Sequence, residues 1–252
     1  MNKSKFTEVW KDPVQGSWWK ALVVFISYWL LRIKTEQLTL IEGLRLSGDK
    51  FTMKDLENIE VVTKIMAKAS IWMLIYTILL LVFLLIMSKL FKFKLFDFTK
   101  LNRDDFWFTI KTYLIFLVLA FILSNLILYF NPDYQTAQNQ AGVESMVSGM
   151  NVALAFLYVV ILIPITEEIL FRGLIMKYIF PLMPVVGAIV SSVTFAGIHL
   201  IAGTFNIWDF LTYYTLSIAI TFVYWRTRKL EYSIMYHMIQ NGLAFAVMTL
   251  IK

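Results

Sequence analysis

Between Asn151 and Lys252 the sequence holds four acidic residues, and two of them, Glu167 and Glu168, fall inside the apolar run NVALAFLYVVILIPITEEILFRGLIMKYIF. A carboxylate buried at mid-membrane costs at least a few kcal/mol, so an intramembrane pair is by default a functional hypothesis. Arg172 follows Glu168 by four residues, which places the two on one helical face and permits a structural ion pair. Glu167 points about 100° away around the same helix and is left to face something else. The chain has two histidines, His199 and His237, both within apolar stretches. Each has a companion at helical spacing: Phe195 four residues before His199, and Asn241 four residues after His237. A single histidine in a membrane helix more often makes an interhelical hydrogen bond than it does chemistry. That reading weakens when both histidines and both glutamates can converge.

Together these side chains could hydrolyse a peptide bond without a covalent intermediate. In apolar surroundings Glu167 would take a proton from water as a general base, and His199 would position or share that proton. His237 and the Asn241 amide would donate hydrogen bonds to the developing oxyanion. With no cysteine in the chain, thiolate nucleophiles, Cys-ligated zinc and disulfides are excluded. A second reading makes Glu167, His199 and His237 zinc ligands around a metal-bound water, although the HExxH helix is absent. A third takes the same buried Glu, His and Arg as parts of a proton or ion pathway. No inverted repeat is visible in the sequence to support it.

These residues need helices in a bilayer to position them. Hydrophobic residues make up 59% of the 252, charged residues only 16%, and mean hydropathy is +0.70. Soluble domains run at about 45–50% apolar and about 25% charged, so the composition excludes a soluble globular enzyme. It describes an integral, multi-pass membrane protein with one membrane domain. At roughly 20 apolar residues per span, the fold class is an all-α polytopic bundle of about seven transmembrane helices enclosing a polar cavity.

The expected spans cover 17–33, 69–90, 106–130, 151–180, 182–201, 208–225 and 232–251. Trp18 and Trp19 suit an interface, and Lys20 can snorkel. The apolar run from Ala21 to Leu31 ends in Arg32 and Lys34 with no small-x-small cleavage site, and so reads as a retained first helix. Residues 34–67 read as a polar connection in which Lys54 to Ala67 could form an amphipathic surface helix. On this division 1–145 is an N-terminal membrane region and 146–252 the catalytic core.

The net charge of +6 comes from basic residues at the ends of apolar runs. That pattern fits orientation signals and anionic lipid, not nucleic acid. The connection FKFKLFDFTKLNRDD and Lys89 just before it, with Lys92, Lys94, Lys100 and Arg103, are expected in the cytoplasm, as is the turn bearing Arg226, Arg228 and Lys229. Residues 131–149 contain no Lys or Arg and belong on the opposite side. This gives a cytoplasmic N-terminus and an external C-terminus. Small residues at Gly187, Ala188, Ser191, Ser192, Ala196 and Gly197 let the helix after Pro184 pack closely, and so place it centrally.

Depth tests the convergence. Measured from the turn at Phe180 and Pro181, Glu167 lies roughly 20 Å and His199 roughly 27 Å along their helices. Measured from the Arg228 turn, His237 lies at roughly 13 Å and Asn241 at roughly 19 Å. A kink at Pro164 and helix tilt could absorb several Å, and His199 is the outlier.

At these residues the sequence resembles the CAAX-protease and bacteriocin-processing family, also called the Abi family, of intramembrane proteases. EEILFRG (Glu167 to Gly173) matches its EExxxR motif, FAGIH (Phe195 to His199) its FxxxH motif, and HMIQN (His237 to Asn241) its HxxxN motif. Each motif fixes only two or three residues, but the ordered set over about the last 100 residues is specific. The resemblance implies that Glu167 activates water, Glu168 and Arg172 support it, His199 assists, and His237 with Asn241 stabilises the oxyanion. It implies a peptide precursor or membrane-anchored substrate, with no cofactor required on the leading reading and zinc on the second. Roles in peptide-pheromone or bacteriocin maturation, or in CAAX-type processing, follow from the same likeness. So does a non-catalytic alternative, a bacteriocin self-immunity or membrane scaffold protein. The excess of Lys over Arg fits an AT-rich bacterial genome, for which the expected location is the bacterial plasma membrane.

Overall fold

Asparagine side chains open four of the helices. Asn58, Asn102, Asn151 and Asn206 each accept a hydrogen bond from a backbone N–H in the first turn of the helix that follows, satisfying donors that the helix itself cannot. The computed structural model describes residues 17–48, 51–52, 55–134, 137–201 and 204–250. Among the described residues there are nine helices and no strand. They are α1 (Trp18–Ser47), α2 (Ile59–Lys68), α3 (Ser70–Leu90), α4 (Arg103–Phe130), α5 (Gln138–Ser148), α6 (Val152–Ile179), α7 (Pro184–Ile198), α8 (Ile207–Thr227) and α9 (Leu230–Leu250). The fold is an all-α membrane bundle.

Of the about seven expected spans, α3, α4 and α6 are long and apolar enough to cross a bilayer by length and composition, and α7 is a shorter apolar helix. Helices α8 and α9 each have 21 residues but carry more polar side chains, several of them in the candidate site. Helix α1 differs most from expectation. It runs for 30 residues, well past 33, and turns the first part of the expected polar connection into helix. No proline interrupts it, and it stops at Gly48, whose φ of 68° is the left-handed geometry that glycine adopts without strain. Helix α2 overlaps the expected amphipathic segment Lys54 to Ala67 and ends one residue beyond it, at Lys68; Lys54 lies outside the described residues. It docks on α1 at Gly43, where an added Cβ would stand 2.3 Å from the Ile65 carbonyl oxygen. The region 131–149 is also more than a loop, because α5 occupies Gln138–Ser148. Residues 1–16 and Ile251 lie outside the described residues.

Helix α6 forms the centre. Its most apolar stretch is 61% buried, against 28% for α3 and 17% for α4. On one side Ala21, Val24 and Tyr28 of α1 join the core that contains Phe171 and Leu174. On the other, α7 presents Ser191, whose hydroxyl donates to the Phe171 carbonyl at 2.9 Å, and Ser192, which bonds Thr221 of α8 at 3.1 Å. Gly187, Ala188, Ser191, Ser192 and Ala196 are buried as close packing requires, and the two serines also bond across the interface, whereas a Cβ on Gly197 would meet open space.

Both ends of the bundle are pinned. At one end the connection after α3 is held by Tyr178, which accepts from the Lys94 N–H, and by Glu231, which accepts from the Asp97 N–H. Tyr232 accepts from the Asn102 N–H and donates to its carbonyl, and Lys229 pairs with Asp105 at 3.1 Å. At the other end buried Asp209 accepts from the Tyr134 hydroxyl at 2.8 Å and from the Gln138 N–H at 3.0 Å. Burial, and then the Asp209 carboxylate, push the Tyr134 phenol above its usual range, so it stays a proton donor to Asp209.

Candidate active site

Helix α6 is not a uniform α-helix. Leu157–Leu162 and Ile169–Ile179 are π-helical, and they flank the α-helical turn Ile163–Glu168 that carries Glu167 and Glu168. Such stretches are rare and concentrate at functional sites. The first has a local cause. The Ile163 N–H bonds the Tyr158 carbonyl, five residues back. In that register the next acceptor is the Val159 carbonyl, but its donor would be Pro164, which has no N–H. The Asn241 amide of α9 supplies the missing bond, donating from Nδ2 to the Val159 carbonyl at 2.9 Å.

Asn241 therefore holds α6 in its bulged shape, a role that the spacing of HxxxN could not disclose. Asn241→Leu is expected to lower stability by about 1–3 kcal/mol, the cost of orphaning an enclosed carbonyl. Thermal melting of the purified variant in detergent checks this, and an unchanged midpoint would remove Asn241 from the scaffold.

Glu168 is the hub. Fully buried, its Oε1 accepts from Arg172 Nη1 at 3.0 Å and from His237 Nδ1 at 2.9 Å. Arg172, also fully buried, spans from α6 to α8. Its Nη2 donates to the Ser217 carbonyl and hydroxyl, both at 2.9 Å, and to Thr221 Oγ1 at 3.4 Å. Because an ionised carboxylate only accepts, His237 Nδ1 carries a proton and the Nε2 edge turns the other way. That edge lies 3.8 Å from Glu167 Oε2, too far for a direct hydrogen bond. Glu167 is 5% exposed, and its Oε2 has no hydrogen-bond partner among the described residues. The two adjacent glutamates thus differ: Glu168 is anchored by two partners through Oε1, with its Oε2 unpartnered among the described residues, and Glu167 is anchored by none.

His199 does not sit inside an apolar helix as expected; it caps the C-terminus of α7. Its Nδ1 bonds the Phe195 carbonyl at 2.7 Å, which leaves Nε2 as the outward nitrogen. The ring stacks on Tyr213 of α8 at 4.2 Å, and Tyr213 in turn accepts from Asn139 of α5 at 3.2 Å. Phe195 stands between the two histidines, 4.6 Å from the His199 ring and 5.7 Å from the His237 ring, with the Arg172 guanidinium 5.0 Å from its own ring centre. The phenylalanine of FxxxH is therefore the wedge that spaces the polar groups.

Glu167, Glu168, Arg172 and His237 come together directly, with His199 beside them across Phe195 and Asn241 bound to the α6 backbone. Ser217, Thr221 and Tyr213 were not singled out in the sequence. Hydroxyls are common in such helices, and only the position of Arg172 gives these three meaning. For zinc, the donor set does not fit: among the described residues no group of three or more His, Asp or Glu side chains is placed to hold a metal ion.

Residues 149–243 match the family model described as type II CAAX prenyl endopeptidase Rce1-like. Over these residues the chain is similar to Rce1-like endopeptidases. No curated protein and no solved structure matches the chain. The Rce1-like segment opens just before α6 and closes within α9, so it contains every side chain of the cluster around Glu168. It leaves out α1 to α5. With three helices fit to cross a bilayer, the match supports an integral membrane endopeptidase of the CAAX type in general terms.

Proposed function

We propose that this chain hydrolyses a peptide bond of a membrane-anchored or small peptide substrate, with Glu167 as the general base. The observation that carries this reading is the contrast between the glutamates: Glu168 is anchored through Oε1 by Arg172 and His237, while buried Glu167 makes no hydrogen bond among the described residues and stands with Oε2 3.8 Å from His237 Nε2. Water held at Glu167 Oε2 gives up a proton to the carboxylate as its oxygen attacks the scissile carbonyl, forming a tetrahedral oxyanion. His237, fixed by Glu168, lies next to that proton and helps to hold it. The second N–H of Asn241, the one not spent on Val159, is the amide donor available to the oxyanion. Collapse of the intermediate breaks the C–N bond, and the proton on Glu167 passes to the departing amine. His199 presents Nε2 from the rim, its ring braced by Tyr213. Arg172 holds Glu168 in place through the Nη1 bond, and so acts as a positioning residue.

Quantitative peptidomics tests the reading, comparing cells that express the wild type with cells that express Glu167→Gln at matched protein levels. New mature termini that appear only with the wild type are expected. Identical peptide pools, with both proteins folded and present, would favour the non-catalytic immunity or scaffold role.

A further inference from the structure

The part of the chain before the Rce1-like segment reaches the site through α5. Asp209, which is buried, and Tyr213 stand four residues apart in the first two turns of α8, on one face. Consecutive residues of α5 meet them. The Gln138 N–H donates to Asp209 at 3.0 Å, and Asn139 Nδ2 donates to the Tyr213 hydroxyl oxygen at 3.2 Å. The Gln138 side chain also closes on the Thr204 backbone, donating to its carbonyl at 3.3 Å and accepting from its N–H at 3.1 Å. At its far end α5 rests on α2, where a Cβ added at Gly149 would stand 3.0 Å from that of Ala67. Helix α5 is thus held at both ends, and it carries Asn139 on a fixed support.

What Asn139 supports is a ring with few holds of its own. Beyond Ile198 the backbone continues in single turns, with the Leu200 and Ile201 N–H groups bonding the Gly197 and Ile198 carbonyls three residues back. Among the described residues the His199 imidazole makes one hydrogen bond, between Nδ1 and the Phe195 carbonyl of its own helix. A carbonyl only accepts, so Nδ1 carries the proton, and in the neutral ring Nε2 keeps its lone pair. One hydrogen bond leaves a ring free to pivot about it. The stack on Tyr213, with centres 4.2 Å and planes 22° apart, removes that freedom only while the phenol is itself held at its tip. The Asn139 amide holds it there.

We propose that Asn139 is a positioning residue for His199, acting through Tyr213, so that the docking of α5 sets the direction of the Nε2 lone pair. As a contribution to hydrolysis this rests on the protease reading; as a statement about the imidazole it does not. Lifting α5 from α8 would then disarm His199 while leaving Glu167, Glu168 and His237 in place, because their contacts lie within α6, α8 and α9.

With two histidines in the chain, the test can read each imidazole by itself. Full-length protein carrying histidine with isotopically labelled ring nitrogens is placed in liposomes and read by magic-angle-spinning NMR, and His199→Gln assigns the two rings by elimination. In the wild type His199 should show a single tautomer with Nδ1 protonated. Asn139→Leu and Tyr213→Phe should each shift and broaden the His199 signals and leave those of His237 unmoved. The double variant should add nothing to either change, since both break the same bond. Tyr213→Phe keeps the stacking ring and loses only the acceptor, so it decides the matter if Asn139→Leu folds poorly. Gln138→Leu, which frees α5 from Thr204 but spares the Asn139 bond, should leave His199 as it is. On a peptide whose cleavage depends on Glu167, Asn139→Leu and Tyr213→Phe should lower kcat about two- to tenfold with KM unchanged, the worth of one neutral hydrogen bond. An unmoved His199 ring, an additive double variant, an equal shift in Gln138→Leu, or full turnover of such a peptide would overturn the proposal. Shifted His199 signals with no peptide cleaved by any form would uphold the hold on the ring and remove the protease reading alone.

Discussion

Glu167→Gln is expected to slow hydrolysis of a cleaved peptide by about a thousandfold, within the range that a positioned general base supplies. The change is nearly isosteric, and Glu167 Oε2 makes no hydrogen bond that the substitution would break. Stability should therefore hold or rise, since a buried charge is replaced by a neutral amide. Single-turnover rates and melting curves of the wild type and variant in one detergent read both halves. Retained turnover would end the role given to Glu167, and a collapsed melting curve would show it to be a structural residue instead.

Arg172→Ala is expected to act the opposite way, with its main effect on the fold. It removes the Nη1 bond to Glu168 and the bonds that tie α6 to Ser217 and Thr221 of α8. The buried Glu168 is left with His237 as its one remaining partner. Breaking one half of a buried ion pair costs about 3–5 kcal/mol, whereas replacing both charges by neutral groups of similar volume costs far less. The melting midpoint should thus fall steeply for Arg172→Ala and recover in the double variant Glu168→Gln/Arg172→Met. Thermal denaturation followed by size-exclusion chromatography checks this. Normal melting of Arg172→Ala with lost turnover would move Arg172 from scaffold to chemistry.

What the sequence made legible follows from what its signals physically report. The charges within the apolar run after Asn151 were readable because burial makes them costly, and four-residue spacing was enough to pair Glu168 with Arg172, which meet at 3.0 Å. The depth estimate for His199 assumed an unbroken helix to Ile201, but α7 ends at Ile198 with His199 as its cap. Hydropathy misjudged α1 because it registers a span and is blind to a helix that continues through polar residues, as α1 does to Ser47. The partners of Asn241 and Arg172 were hidden for another reason. One is a carbonyl of α6 orphaned by a proline five residues on and met by an amide from α9, and the others are hydroxyls on α8, so no pattern within the donor's own helix marks them.

The π-helical stretch Leu157–Leu162 has a consequence for how this chain can vary in length. A π turn takes up one residue more than an α turn while leaving the faces on either side in phase. The bulge therefore behaves as a surplus residue stored inside α6. A homologous chain shorter by one residue there could run as plain α-helix and still aim the counterparts of Glu167 and Glu168 at the same neighbours. With the residue lost between Val159 and Pro164, the proline would stand four residues beyond the counterpart of Val159 instead of five, so the α register would leave that same carbonyl bare and the amide on the last helix would keep its partner.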